Sequence, residues 1–373
     1  MEQLTVRYRP VVGSMQMADE SGPMAFDRVF GHDMLLRPSQ VQVTTNLRGS
    51  AGTKNVTAPK LEFQPENGAE MVCMYGDRVV FRGFLGNTSV DQSGAWSLSC
   101  HDTLFYLMPI VNYNLRKVTA SQVVKDMCEK LDVPMGDIED TEFVLQEEKP
   151  FVGQKALDVI NYALVRTSVQ DDKRTNPIYV MYAEDGAICL KLAEKMFPSI
   201  VDPKTRVTLG VKALMGSYTI QHTIVGDTAN YVRLMRPNEA TGKYDVFSVY
   251  DSENIEKWGT LMRAENVDAE LTDAAITERA RNLLIYLNNE KRELSFDSLG
   301  VHGLRGGGMI VLHIPGFGSE LQQRVALLDK VSHTFKQGEH TMSVQTRSMW
   351  VGSPDEVLNR RREPKNQPIE SWE

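Results

Sequence analysis

Few residues in this 373-residue chain have both the type and the spacing to do chemistry. His333 and His340 flank Gln337-Gly338, a dipeptide suited to a hairpin turn. Pairing Lys336 with Glu339 sets the two imidazoles diagonally on one sheet face, within reach of a shared ion. That face also carries Val331, Phe335, Met342 and Val344, with no carboxylate or thiol between the histidines. A catalytic metal takes three protein ligands with ordered partners behind them, so the pair reads as structural and no metal ligand is assigned. His101-Asp102 has the types of a base and its orienting carboxylate, but neighbours on a strand point to opposite faces. Asp171-Asp172 and Glu147-Glu148 read as solvated charges, and nothing selects a glycosidase-like pair among 49 acids.

The sequence holds no G-x-x-x-x-G-K-[ST] phosphate loop, no G-x-S-x-G elbow and no H-E-x-x-H. Gly306-Gly307-Gly308 precedes a strand, where a dinucleotide loop would precede a helix, so it reads as a turn or a close backbone approach. Cys73, Cys100, Cys128 and Cys189 are scattered among apolar residues without the paired spacing of zinc or redox sites, and read as buried, unreactive thiols. Arg360-Arg361-Arg362 reads as part of a solvated tail. The expectation is a protein with no catalytic residues and no cofactor.

Lys and Arg total 41 against 49 Asp and Glu, a formal charge of −8. A domain that grips nucleic-acid phosphates needs a positive surface, so nucleic acid is expected at most in passage. No apolar run reaches the ~20 residues of a membrane span. The N-terminus lacks a signal pattern, and the chain is expected to be made in the cytosol. Hydrophobic residues at 42% and charged ones at 24% suit globular domains, and the length suggests roughly two to three of them.

The first hundred residues read as short strands cut by turns, among them Val41-Val43, Leu61-Phe63, Met71-Tyr75, Val79-Phe81 and Trp96-Cys100. Residues 13 to 37 read as a loop or arm. Thr119 and Gln122 form a capping box ahead of Val123, Val124, Met127 and Leu131 at helical spacing. A second helix is predicted from about Gln154 to Thr167, followed by a hairpin turning at Asp185-Gly186. Strands return at 218–225, 230–235 and 244–250. Asp251 starts a short helix ending at Gly259, and Thr272 caps a helix burying Ile276, Ala280, Leu283, Leu284 and Leu287. Met309 to Ile314 reads as a strand. In the last hairpin Val325, Leu327, Val331 and Phe335 share a face with Met342 and Val344. Gly94-x-x-x-Leu98-x-Cys100 and Gly338-x-x-x-Met342-x-Val344 form a weak internal echo.

From about Gly83 to Arg347 the sequence resembles the baseplate hub proteins of contractile phage tails and phage-tail-like bacteriocins, especially those of defective Bacillus-type prophages. The carrying passages are Thr119-Ala120-Ser121-Gln122-Val123-Val124, Gly242-Lys243-Tyr244-Asp245-Val246 leading into Asp251-Ser252-Glu253-Asn254-Ile255-Glu256-Lys257-Trp258-Gly259, and Lys336-Gln337-Gly338-Glu339-His340-Thr341-Met342-Ser343. The resemblance implies an α+β, mainly β fold with two β-barrel domains similar to the tail-tube fold. It gives a first barrel over 1–110, an α+β domain over 111–204 and a second barrel from 205–237 with 292–349. An inserted unit follows over 238–291, and a tail over 350–373. It implies a non-enzymatic homotrimer that joins a sixfold tail tube to a threefold central spike. Its partners would be spike, tube and other baseplate proteins and a tape-measure protein, within a virion or tail-like particle. The alternatives are a tail-associated peptidoglycan hydrolase and a host-binding module. If such a ring continues a tube, its lumen is expected to be acidic to neutral, with Lys and Arg on outer and inter-subunit surfaces.

Overall fold

The computed structural model describes residues 3–17, 25–47, 52–58, 61–170, 177–197, 208–210, 215–238, 241–269, 271–315 and 321–351. Strands dominate. Four α-helices accompany them: α1 (Ala120–Lys130), α2 (Ala156–Gln170), α3 (Ser252–Trp258) and α4 (Asp273–Leu287). Three of them start on a side-chain acceptor that satisfies an otherwise orphaned first-turn amide. Thr119 Oγ1 accepts from the Gln122 N–H at 3.2 Å, Asp251 Oδ1 from the Asn254 N–H at 2.9 Å, and Thr272 Oγ1 from the Ala275 N–H at 3.3 Å. The Gln122 side chain turns forward to Asp126 at 2.6 Å, so the predicted capping box is only half made. α2 begins at Ala156 and runs past Thr167 to Gln170.

Thirteen strands form one sheet. From the edge strand Met215–Thr223 it passes through Lys291–Leu299, Glu339–Val351 and Leu321–Lys336 into Gln40–Asn46, Thr53–Ala58, Trp96–His101 and Arg78–Val90, and then through Glu70–Tyr75 and Leu4–Arg9 to Met34–Leu36. Met309–Pro315 pairs with the first half of Leu321–Lys336, whose second half pairs with Gln40–Asn46. That strand is 16 residues long and serves both β regions. The strands expected to form two barrel domains run on in one continuous sheet. Among the described residues its path has two ends and closes no ring.

The final hairpin keeps the predicted register, with Lys336 opposite Glu339. Irregularities between Leu327 and Lys330 shift the alternation by one residue. Ala326, Leu328 and Val331 consequently share a core with Met342 and Val344, whereas Val325 and Leu327 face away toward Val180 and Tyr182. Two further expectations fail locally. Leu61-Phe63 lies outside any strand, although Leu61 and Phe63 still pack on the first core. Residues 13–37 contain paired strands, Val11–Met17 with Ala25–Phe30, followed by Met34–Leu36 on the sheet edge. The two echo glycines, Gly94 and Gly338, both take positive φ before strands that bury Leu98 and Cys100, or Met342 and Val344.

The apolar cores are distinct. One spans Leu4 to Cys100 with Phe335, and a second spans Leu209 to Val344 on the other half of the sheet. A third holds α1 and α2 against the pairs Ile110–Thr119 with Val144–Lys155 and Tyr179–Glu184 with Ala187–Leu192. The strand Tyr231–Asn238 pairs with Lys243–Tyr250 and Met262–Asn266 outside the large sheet, and its Val232 and Leu234 pack on Ile276, Ala280 and Leu284 of α4.

Candidate functional site: an uncharged sheet face

The structure brings His333 and His340 together as their register predicts. His333 Nδ1 and His340 Nε2 are 2.9 Å apart, and the other nitrogen of His333 bonds the Leu304 carbonyl at 2.7 Å. His302, which sequence reasoning did not connect to them, lies with its ring 4.9 Å from that of His340. The cluster is walled by aromatics: Phe335 stacks on His340 at 4.2 Å, and Tyr75 reaches both. Burial pushes His333 down, and burial together with the neighbouring imidazoles lowers His340 to about 3. Two neutral imidazoles joined to each other and to a backbone carbonyl fasten the loop at Leu304 to the hairpin.

A cavity of ≈ 700 Å³ beside this cluster separates the first β region, the α+β unit and the 302–305 loop. Several of its charged residues are tied into structural pairs. Arg82 bonds Glu70 at 2.8 Å, Lys195 bonds Glu139 at 2.7 Å, and Arg305 lies 4.2 Å over Tyr182 while donating to the Ala183 carbonyl. Asp102 turns away from His101 and accepts from the Gly52 and Leu104 amides at 2.9 and 3.1 Å, capping the turn Thr103–Leu107. Burial raises its carboxyl to about 7. His101 stacks instead on Phe105. All four cysteines are free and buried, and burial raises Cys100 to about 12 and Cys128 to about 11.

Glu148 is an exposed partner of Arg116, as expected of a solvated acid. Glu147 departs from that expectation: on the opposite strand face it accepts from Tyr162 and pairs with Arg166 at 3.2 Å. Gly306 and Gly307 are close approaches, since an added Cβ would meet the Asn46 backbone at 2.5 Å or Val180 at 2.2 Å. Asp171-Asp172 and Arg360-Arg361-Arg362 lie outside the described residues.

A more extensive feature is the outward face of the joined sheet. One cross-strand row reads Asp297, Ser343, Ser332, Thr44 and Thr53, on five adjacent strands. On the same strands the next reads Leu299, Thr341, Thr334, Gln42 and Asn55, with Ser99 beyond it. The rows are laced by hydrogen bonds, with Thr44 Oγ1 and Ser332 Oγ 2.9 Å apart and Ser99 Oγ donating to Asn55 at 2.8 Å. The charges Lys336 and Glu339 sit at the hairpin end and Lys330 toward the other. An ordinary solvated surface is about 25–35% charged, so a mainly hydroxyl and amide face with one acid, Asp297, and one apolar residue, Leu299, in two rows is a departure. Sequence reasoning saw the alternating apolar residues of these strands. It missed the complementary polar positions because only the pairing shows that they align.

Residues 41–347 match the family model described as YQBQ-like. A relative is the phage-like element PBSX protein XkdQ of Bacillus subtilis (strain 168), 24% identical over 284 residues that cover 76% of this chain and 82% of that protein. Among solved structures, the fold is similar to the tail protein from Neisseria meningitidis MC58, at TM-score 0.60 and 13% identity, covering 93% of this chain and 97% of that one. It is also similar to the 43 kDa tail protein of prophage MuSo2 from Shewanella oneidensis, at TM-score 0.56 and 11% identity, covering 95% and 98%. The fold is thus that of phage tail proteins, and the chain belongs to the YQBQ-like family.

Proposed function

We propose that the chain is a non-enzymatic baseplate hub, a homotrimer that adapts a sixfold tail tube to a threefold central spike in a contractile tail or headless tail-like particle. The observation carrying this reading is the likeness to phage tail proteins over nearly the whole chain. The two cores on the two halves of the large sheet support two tube-like modules per chain, so that three chains supply six around one axis. The outer strands Met215–Thr223 and Met34–Leu36 at the ends of that sheet leave backbone groups for pairing between chains. In this reading residues 1–110 form the first module, 111–204 the α+β domain, and the segments around 208–223 and 291–351 the second module. The unit inserted between them holds Tyr231 through α4. The uncharged sheet face lines the bore, past which tape-measure protein or DNA slides.

Electron cryomicroscopy of particles containing the chain tests the proposal. A threefold ring between tube and spike is expected, with the Ser343 row facing the bore. A sixfold or twofold arrangement refutes it, and so does lysis of cell walls by the purified chain, which would mark a hydrolase.

A further inference from the structure

The first β region is finished by the strand pair that is made last. Lys330 to Phe335 of Leu321–Lys336 pair with Asn46 to Val41 of Gln40–Asn46. Phe335 then enters the first core, 3% exposed, with its ring 5.2 Å from that of Tyr75. Beyond it the turn residue Gln337 reaches Leu4–Arg9, near the other end of the first region's strands. The Gln337 carboxamide accepts from the Leu4 N–H at 3.4 Å and donates to the Leu4 carbonyl at 3.3 Å, as a peptide group of a neighbouring strand would.

The base of the same hairpin belongs to the second core. Val331, Met342 and Val344 lie there with Phe296, which stands opposite Val344 on the adjacent strand. One two-stranded element therefore completes both β regions, its tip in one core and its base in the other. The cores of α1 with α2 and of α4 contain none of its residues. Without the hairpin the first region loses Phe335, the bridge to Leu4 and the backbone partners of Gln40–Asn46. An unpaired strand edge is adhesive, and this one waits long for its partner. Thr44 and Ser332, whose hydroxyls are 2.9 Å apart, are separated by 288 residues, which take about 15–60 s to synthesise at ~5–20 residues per second.

We infer that the two β regions are one folding unit and that the last hairpin is the strap that closes it. The strands of the first region hold their core only when Leu321–Val351 is in place, so the region made first is completed last. The native cysteines report on this in the complete chain. Cys73 and Cys100 are buried in the first core, and Cys128 in the core of α1 and α2. A buried thiol meets N-ethylmaleimide only when its surroundings open, so its labelling rate reads the stability of its own core.

Val344→Ala and Phe296→Ala weaken the second core, and neither side chain belongs to the first. Labelling of Cys73 and Cys100 is expected to quicken about tenfold in Val344→Ala and about a hundredfold in Phe296→Ala, the scale of the apolar groups removed. Gln337→Ala removes only the bridge to Leu4 and should quicken the same thiols about threefold. Cys128 should keep its native rate in all three. Native rates at Cys73 and Cys100, while amide exchange along Lys291–Leu299 has become faster, overturn the inference, because the first region would then stand alone. Equal acceleration at Cys128 overturns it too, because the whole chain would then open at once.

Discussion

Buried polar groups bear on the stability of the β regions at the residue scale, and the sequence disclosed the histidine pair but not Lys54. Lys54 points into the first core between Val56 and Val43, fully buried, with its Nζ 5.0 Å from the Phe81 ring, the buried Cys73 thiol beside it and no carboxylate to pair with among the described residues. A buried amine without a carboxylate partner is costly where an apolar residue of similar volume is not. Lys54→Met is therefore expected to raise unfolding free energy by about 1–3 kcal/mol, read by urea denaturation. The lysine escaped the sequence reading because Thr53-Lys54-Asn55 looks like solvated loop until its pairing is known. The histidine pair was legible, since one turn dipeptide fixed the register. Unfolded imidazoles titrate near 6.5, and the folded state holds His340 near 3 and His333 lowered. Their contribution is thus complete above about pH 6.5 and is lost as pH falls toward 3. Asp102, raised to about 7, works in the opposite sense, contributing below its unfolded pKa and losing that contribution as pH rises to 7. In His340→Phe, which keeps the stack on Phe335, stability should fall less between pH 7.5 and 4.5 than in the native chain. The difference is about 1–2 kcal/mol after allowance for partial exposure.

The helices were legible at the scale of elements because capping and period are local: Thr119, Asp251 and Thr272 each cap the helix their position predicts. Outside the final hairpin, whose turn fixed its register, the strands were legible only as strands, since the pairing that joins the two β regions links residues hundreds of positions apart. The irregularity between Leu327 and Lys330 shows the limit. An unbroken alternation puts Val325 with Val331, whereas the observed strand turns Val325 toward the α+β unit and Val331 into the second core. Gly306-Gly307-Gly308 belongs to the same junction. Gly307 takes φ +85 with Val180 against its Cα, Gly306 abuts the Asn46 backbone, and its N–H donates to Thr45 at 2.9 Å. Gly306→Ala must move a backbone that is itself part of the sheet. We expect a loss of about 2–4 kcal/mol in thermal or urea unfolding. Gly303→Ala, strained at φ +76 but with open space around it, should cost only about 1 kcal/mol.

The whole molecule carries eight more acids than bases, yet net charge does not say which surface is which. The sheet answers in part through its rows of Ser, Thr, Gln and Asn, in which Asp297 is the one charged residue. Neutral side chains release no counterions, so duplex DNA gains no affinity from touching them. They also offer a polypeptide no apolar surface to bury. A bore lined this way would let either cargo move, which is the physical content of the hub reading. The consequence can be measured by changing the face alone. Thr44, Asn55 and Ser343 lie in the two rows and none is in an apolar core, so lysines there should leave the fold intact by thermal melting. The native protein is expected to show no duplex DNA binding even at about 50 mM salt. The Thr44→Lys, Asn55→Lys, Ser343→Lys protein should bind, and should release the DNA as salt rises to about 200 mM, because each added cation contributes one phosphate contact to the salt slope. Tight, salt-sensitive binding by the native chain would show that the face holds DNA where this reading requires it to slide.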